Sequence, residues 1–409
     1  LYVNPNKNSR YLLMYDFTTH YDRSDLGSYK WEAAKKLNPH FDPTCIPLSV
    51  ADMEFATAPE IVEGLKSYLD TVILGYAAPT KAYKEAVQNW MLSRHQFALE
   101  LDEIVNTSGV VQALFNAVRS LTEEGDGVII MPPVYYPFFR AVEASHRKVL
   151  RCPLIAGQER FEIDFDKFEQ LAASGEAKAL MFCSPHNPVS RVWTREELKR
   201  LEAIILKYDL LLLSDEIHAD LCMPGHKHCV FASLSPELAQ RSVTFLAATK
   251  SFNIAGLTLS SIIIKNAELR EKFKAGLQAV ALHSISGIAY EATRLAYTRA
   301  EPWLDAVIEI VYHNYKVFKR FIQERLPQLK LYPLEGSYLA LLDERVLGLD
   351  KEALETMHIK AQLYLDEGYI FGEEGTGFSR FNLAVPTDVI EAALLRLELG
   401  IKELLSSKN

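Results

Sequence analysis

Between residues 105 and 265 the chain alternates short, continuous apolar runs with segments of helical periodicity. The runs are GVIIMPP (127–133), ALMFCSP (179–185), LLLLSDE (210–216), SVTFLAAT (242–249) and SSIIIK (260–265). Polar residues do not interrupt them at every second position, which is the pattern of strands buried on both faces. Between them, Val111, Leu114, Phe115 and Val118 recur at i, i+3, i+4 and i+7, predicting one apolar helix face that Gly125 closes. Thr194 and Glu197 have the spacing of a capping box ahead of ELKRLEAIILKYD. Strands alternating with helices predict an α/β architecture with a mainly parallel sheet.

The texture changes after about residue 285. AYEATRLAYTRA reads as helix, meets Pro302, and continues through WLDAVIEIVYHNYKVFKRFIQERL. A strand-like EGSYLALLD (335–343), a glycine-rich loop and a closing helix follow. Residues 61–295 are therefore expected to form a large domain and 296–409 a smaller α+β domain, with 15–60 packing on the small one. Residues 1–14 read as an appended or disordered extension: they are polar at the start, lack the apolar core of a targeting signal, and lead to Met14, a natural start.

Composition narrows the partners. The 409 residues are 49% hydrophobic and 24% charged, enough for more than one core, with a net charge of −9 and no long basic run. This argues against nucleic acid or an anionic membrane as the main partner. No apolar stretch is long enough to span a bilayer. The five cysteines, odd in number and scattered, fit free thiols in a reducing cytoplasm.

In open parallel sheets, ligands bind beyond the carboxyl ends of the strands, so the residues after each run are informative. Tyr135 and Tyr136 follow the first, His186 and Asn187 the second, Asp215 and Glu216 the third, and Thr249 and Lys250 the fourth. Taken singly, each has an ordinary explanation: a carboxylate caps a helix, SPHNP makes a turn, tyrosines pack, and a lysine is solvated. Together they suit one chemistry. A lysine amine forms a Schiff base with an aldehyde cofactor, and a carboxylate keeps a pyridine nitrogen protonated.

The motifs GYAAPT (75–80), TSGVVQA (107–113), PPVYYPF (132–138), SPHNPVSR (184–191), SDEIHADL (214–221) and TKSFNIAGL (249–257) resemble those of fold-type I pyridoxal-phosphate (PLP) enzymes. With SVADMEF (49–55) and FGEEGTGFSRFNLAVP (371–386), they are most similar to the cystalysin and MalY/PatB group of C–S β-lyases. The resemblance implies the PLP cofactor and elimination from L-cystathionine, L-cysteine or S-substituted cysteines. It implies Lys250 as the Schiff-base lysine and Cα base, Asp215 facing the pyridine nitrogen, Asn187 donating to the phenolate oxygen and Tyr135 stacking on the ring. Gly109, Val110, Val111 and Thr249 would hold the phosphate. Arg380 and Asn187 would bind the substrate, Arg380 taking its carboxylate, and Tyr136 would sit near it as a further catalytic residue. Tyr76 would reach the phosphate site of the other subunit, which implies a homodimer with composite sites.

Four positions depart from common patterns. Thr258 stands eight residues after the lysine, where many aminotransferases carry an arginine, and this favours the lyase reading over a PLP aminotransferase. Ser190 replaces a glycine, which predicts an adjusted loop, and Ala248 stands where proline is frequent. Leu341 replaces a possible tryptophan, which would alter the pocket. A binding or regulatory protein on the same fold is the remaining alternative. HADLCMPGHKHC (218–229) has zinc-compatible spacing, but its Met-Pro-Gly turn reads as an ordinary loop and no metal is expected. GEEGTG (372–377) lacks the Lys-Ser/Thr of a nucleotide loop and is expected to be a flexible turn leading to Arg380.

Overall fold

The structure is a computed structural model. It describes residues 14–38, 41–282 and 284–407; residues 1–13 of the stretch 1–14 read as an extension lie outside them. Among the described residues the larger sheet has seven strands: β1 (Ile104–Thr107), β2 (Gly127–Ile130), β3 (Lys148–Arg151), β4 (Ala177–Cys183), β5 (Leu211–Asp215), β6 (Ser242–Leu246) and β7 (Ser260–Ile263). Their order is β1-β7-β6-β5-β4-β2-β3. β3, β2, β4, β5 and β6 run parallel, and β7 is antiparallel to both neighbours. All five apolar runs form strands. β1 and β3 were not legible, because the first is the short IVNT and the second, KVLR, is an edge strand with charged ends and no fully buried residue.

The helix Val110–Leu121 follows β1. Its buried stripe is Val110, Ala113, Leu114, Ala117 and Val118, whereas Val111 is 38% exposed. The predicted face is thus rotated by about one position. Gly125 lies past the helix end, with φ +86°, in the turn before β2. The capping box is present, with Thr194 Oγ1 accepting from Glu197 N–H and Glu197 accepting from Thr194 N–H. Pro302 starts a helix rather than interrupting one: it is the second residue of Glu301–Arg325, where the missing N–H has no partner to lose.

A second, antiparallel sheet contains β8 (Lys330–Leu331), β9 (Leu339–Asp343), β10 (Asp366–Glu367) and β11 (Phe378–Asn382) in the order β8-β9-β11-β10. The helices Glu301–Arg325 and Thr387–Ser407 pack together beside it. Near the N-terminus, Ile46–Pro47 pairs with Leu363–Tyr364. The same segment is pinned by Lys30, which is fully buried with Nζ 3.0 Å from Asp52 and 2.9 Å from Glu54. Among the described residues, no helix is long and apolar enough to cross a membrane.

Candidate active site

A cavity of about 950 Å³ opens over the carboxyl ends of the larger sheet's central strands. Asp215 is the last residue of β5, and Cys183 and Phe245 are its register partners on β4 and β6. Asn187 follows the end of β4 by four residues and Lys250 follows β6 by four. Adjacent strands therefore deliver the amide, the carboxylate and the amine to one wall, all lining the cavity. Tyr135, Tyr136, Thr249, Gly109, Val110, Val111 and Arg380 line it too. Tyr76 does not; it is fully exposed.

Lys250 sits in the four-residue helix Ala248–Ser251. That helix is too short to hold itself, and the neighbouring Ser251 anchors it through a 2.7 Å hydrogen bond to Asp220. Asp220 also accepts from Trp90 and lies 2.7 Å from His95, so the anchor reaches the helix Lys81–His95. Burial pulls Lys250 down to about 8, against the raising effect of Asp52 and with a lowering one from Arg380. Its Nζ donates to the carbonyl of Ala51, which also accepts from Tyr338 at 2.9 Å.

Burial pushes Asp215 up to about 7, against the Ile217 N–H that it accepts at 3.2 Å. Among the described residues no cation lies within ion-pair distance of this buried carboxylate. A protonated aromatic ring nitrogen is a partner its chemistry suits. Asn187 Oδ1 accepts from Arg380 at 2.7 Å, which turns its amide N–H₂ away from the arginine. Arg380 also donates to Asp366 and lies over the Phe371 ring, 4.8 Å from its centroid. Tyr135 is tied to the same loop, its N–H donating to Asn187 O at 3.1 Å.

Gly109 precedes the helix Val110–Leu121 with φ +113°, and no side chain caps that end. The helix N–H groups and the positive end of its dipole thus meet the cavity, joined by the Thr249 hydroxyl, a donor set suited to a phosphate. A Cβ at Gly109 would touch nothing within 4 Å, so torsion alone requires glycine there. Thr258 lines the cavity with φ +43°. The amine, the unpaired acid, the amide and the anion cradle together fit PLP.

His218 and Asp366 also line the cavity, and neither was assigned to the site from sequence. His218, three residues past Asp215, is buried and kept neutral by burial, which pulls it down to about 3; its Nδ1 lies 3.1 Å from Ser337. Its signal was present in SDEIHADL, as part of the zinc-compatible stretch. That stretch is dispersed: His228 lies 2.6 Å from Glu216, Cys229 is 3.8 Å from Ser233, and the described residues hold no metal-binding cluster of three or more. Asp366, on β10, has no local sequence signal, because only sheet register brings it opposite Arg380.

Two expectations need correction. Leu341 does not shape the cavity; it is 1% exposed in the apolar core with Phe161, Tyr332 and Phe378. GEEGTG is a packed turn rather than a loose one. Gly375 is buried, and a Cβ there would lie 2.0 Å from the carbonyl oxygen of Gly368.

Ser190 does adjust its loop. It takes φ +59°, and its hydroxyl donates to the carbonyl of Leu339 on β9. Ser190→Ala keeps the left-handed torsion and loses that bond, so it is expected to destabilise by roughly 1–2 kcal/mol. Ser190→Gly relieves the torsion as it loses the bond, and should stay within about 1 kcal/mol of the parent. Urea unfolding midpoints check both.

Comparison with known proteins agrees with this geometry. The pattern of the family "Aminotransferase class I and II" matches residues 43–397. The chain is 38% identical over 387 residues to cystathionine beta-lyase PatB of Bacillus subtilis (strain 168), covering 94% of this chain and 100% of that protein. It superposes on cystalysin from Treponema denticola, which contains a pyridoxal 5'-phosphate cofactor, with a TM-score of 0.94 and 48% identity; 95% of this chain and 99% of that one are covered. The PLP-bound C–S lyase of Staphylococcus hominis, in complex with L-cycloserine, matches at a TM-score of 0.88 and 30% identity, over 95% and 98% of the two chains. A lysine, an acid and an amide on adjacent strand ends, in a chain matched over most of its length, place this protein in the class I and II aminotransferase family, on the fold-type I PLP scaffold.

Proposed function

We propose that this protein is a PLP-dependent C–S β-lyase that releases a thiol, pyruvate and ammonia from L-cystathionine, L-cysteine or S-substituted cysteines. The observation that carries the reading is the convergence of Lys250, Asp215, Asn187 and Arg380 on one cavity, in a chain 38% identical to a cystathionine beta-lyase over nearly its whole length. PLP, when bound, supplies an electron sink beside Cα. Lys250 is the base for the Cα proton, and its desolvated amine, near 8, suits that task at neutral pH. Asp215 holds the proton of the pyridine nitrogen, and Asn187 donates to the phenolate oxygen. Tyr135 covers the ring, and Tyr136 borders the substrate. Gly109, Val110, Val111 and Thr249 bind the phosphate. Arg380 takes the substrate carboxylate as a fork. Together these contacts would seat the substrate with its Cα beside the Lys250 amine.

Product analysis tests this reading. L-cystathionine is expected to give homocysteine, pyruvate and ammonia in equal amounts without any added 2-oxo acid. A requirement for 2-oxoglutarate would instead make the protein an aminotransferase; Thr258, at the position where many aminotransferases carry arginine, favours the lyase. The five cysteines form no disulfide among the described residues, which suits a reducing cytoplasm.

The active unit in this reading is a homodimer. Ile73, Leu74 and Tyr76 are 91%, 73% and 104% exposed on one short segment, an apolar patch that a second copy would cover. Tyr76 then completes the phosphate site of the partner. Two inactive variants, Lys250→Ala and Tyr76→Ala, should therefore complement each other. Random mixing on co-expression would restore about a quarter of the wild-type sites, since half the dimers are hybrids with one intact site. No recovery from a mixed dimer of confirmed composition would remove Tyr76 from the site.

A further inference from the structure

Behind Arg380, on the far side of its strand, lies a charged cluster that the reaction does not use. Asp366 on β10 is the register partner of Arg380 on β11, and the next rung pairs Glu367 with Ser379. Successive residues of a strand point to opposite faces. Asp366 and Arg380 line the cavity, and Glu367 and Ser379 turn away from it. There Glu367 Oε1 lies 2.8 Å from His358 Nδ1, whose Nε2 lies 3.2 Å from Glu344 Oε1. Ser379 donates to the other oxygen of Glu344 at 2.5 Å, which closes the ring of contacts. His358 and Glu344 are each 1% exposed, Glu367 is 6% and Ser379 is 0%.

Two buried carboxylates on one imidazole need a positive charge between them. Burial by itself would lower His358, but Glu344 and Glu367 overcome it and raise the ring to about 10, so it is an imidazolium at neutral pH. The imidazolium comes from the helix Lys351–Lys360, Glu344 follows the end of β9, and Glu367 lies on β10. The three elements are thereby clamped around β11. Arg380 needs such a clamp: its Nε is buried without a hydrogen-bond partner among the described residues, and its aim into the cavity rests on Asn187, Asp366 and the position of its strand.

We infer that His358, with Glu344, Glu367 and Ser379, is a positioning cluster that holds the β10–β11 register and so sets where the Arg380 guanidinium meets the substrate carboxylate. This rests on the reading of Arg380 as the carboxylate fork. The cluster acts on binding of the carboxylate and leaves the proton transfer at Lys250 untouched, so the parameter it governs is KM rather than kcat.

The experiment compares His358→Gln, Ser379→Ala and Arg380→Ala as cofactor-loaded enzymes, with rates expressed per PLP-titrated site and an S-substituted L-cysteine as substrate. His358→Gln is expected to raise KM roughly tenfold, the mark of lost uniform binding, with kcat within about threefold of the parent. Ser379→Ala removes one clamp contact without leaving a buried charge unpaired. It should raise KM about threefold with the same unchanged kcat. If His358→Gln does not fold, Ser379→Ala decides. An unchanged KM in Ser379→Ala, or a fall in kcat at constant KM in either cluster variant, overturns the inference. Arg380→Ala separates the two levels: if it leaves KM unchanged, the fork assignment itself is wrong, whereas a raised KM there with parental values in the cluster variants refutes only the positioning role.

Discussion

Lys250→Ala is expected to keep the fold, retain PLP by its phosphate and ring contacts, and lose at least ~10²-fold in turnover, the lower range for removal of a general base. The expectation follows from where the amine is held. Lys250 is carried at the cavity wall by a short helix that Ser251 and Asp220 fix from behind, and its Nζ rests on the Ala51 carbonyl. Desolvation brings it to about 8, so a substantial neutral fraction exists at ordinary pH. No other lysine lines the cavity among the described residues, and the nearby His218, at about 3, is too weak a base to replace it. Borohydride treatment of the parent should attach the cofactor covalently, and peptide mapping should find it on Lys250. Turnover near the parental rate in the alanine variant, or an adduct elsewhere, would contradict the assignment.

Asp215→Asn is expected to damage catalysis and, in protein stripped of PLP, to stabilise the fold. The catalytic loss follows because a neutral amide no longer favours a proton on the pyridine nitrogen. The gain in stability follows from linkage. Burial holds the folded Asp215 near 7, against 3.8 for the free side chain. From 3.8 upward the unfolded chain releases this proton while the folded chain keeps it, so stability falls as pH rises through that interval and levels off above 7. The cost at pH 7.5 is on the order of 2–4 kcal/mol. The amide has no proton to lose. The stripped variant should therefore unfold at higher urea than the stripped parent at pH 7.5, and at nearly the same urea at pH 4. With PLP bound, the proposed cationic ring nitrogen would face the parental carboxylate and the advantage should disappear. A stripped variant less stable than the parent at pH 7.5 would show that Asp215 is not a desolvated, unpaired acid.

Fold and site were unequally legible in the sequence. Buried central strands such as LLLSD and SVTFL announce themselves because both faces must be apolar. The edge strand KVLR does not, since its ends meet solvent. Lys250, Asp215 and Asn187 were readable because a parallel sheet delivers whatever follows each strand to the same rim. Arg380 could be named from motif resemblance alone; its partner Asp366 is set by pairing between strands that are separated in sequence. The exposure of Val111 was hidden by apolar periodicity, because a residue facing a cavity and one facing the core look alike in sequence. The left-handed torsion of Ser190 was half visible: a departure from glycine could be noticed, but not the hydroxyl bond to Leu339 that accompanies it.

Asp215 ends β5, and Asn187 and Lys250 each follow a neighbouring strand, β4 and β6, by four residues, so the spacing of their supports is set by the backbone ladder, which keeps strands ~4.8 Å apart whatever side chains they bear. Arg380 belongs to a different sheet and reaches the same cavity from outside that ladder. The site thus has two separate supports, joined by the hydrogen bond from Arg380 to Asn187. Substitutions that shift the small sheet by a fraction of an ångström would act first on how the proposed site meets a substrate's carboxylate, and would reach the proposed cofactor seat through the Arg380–Asn187 hydrogen bond.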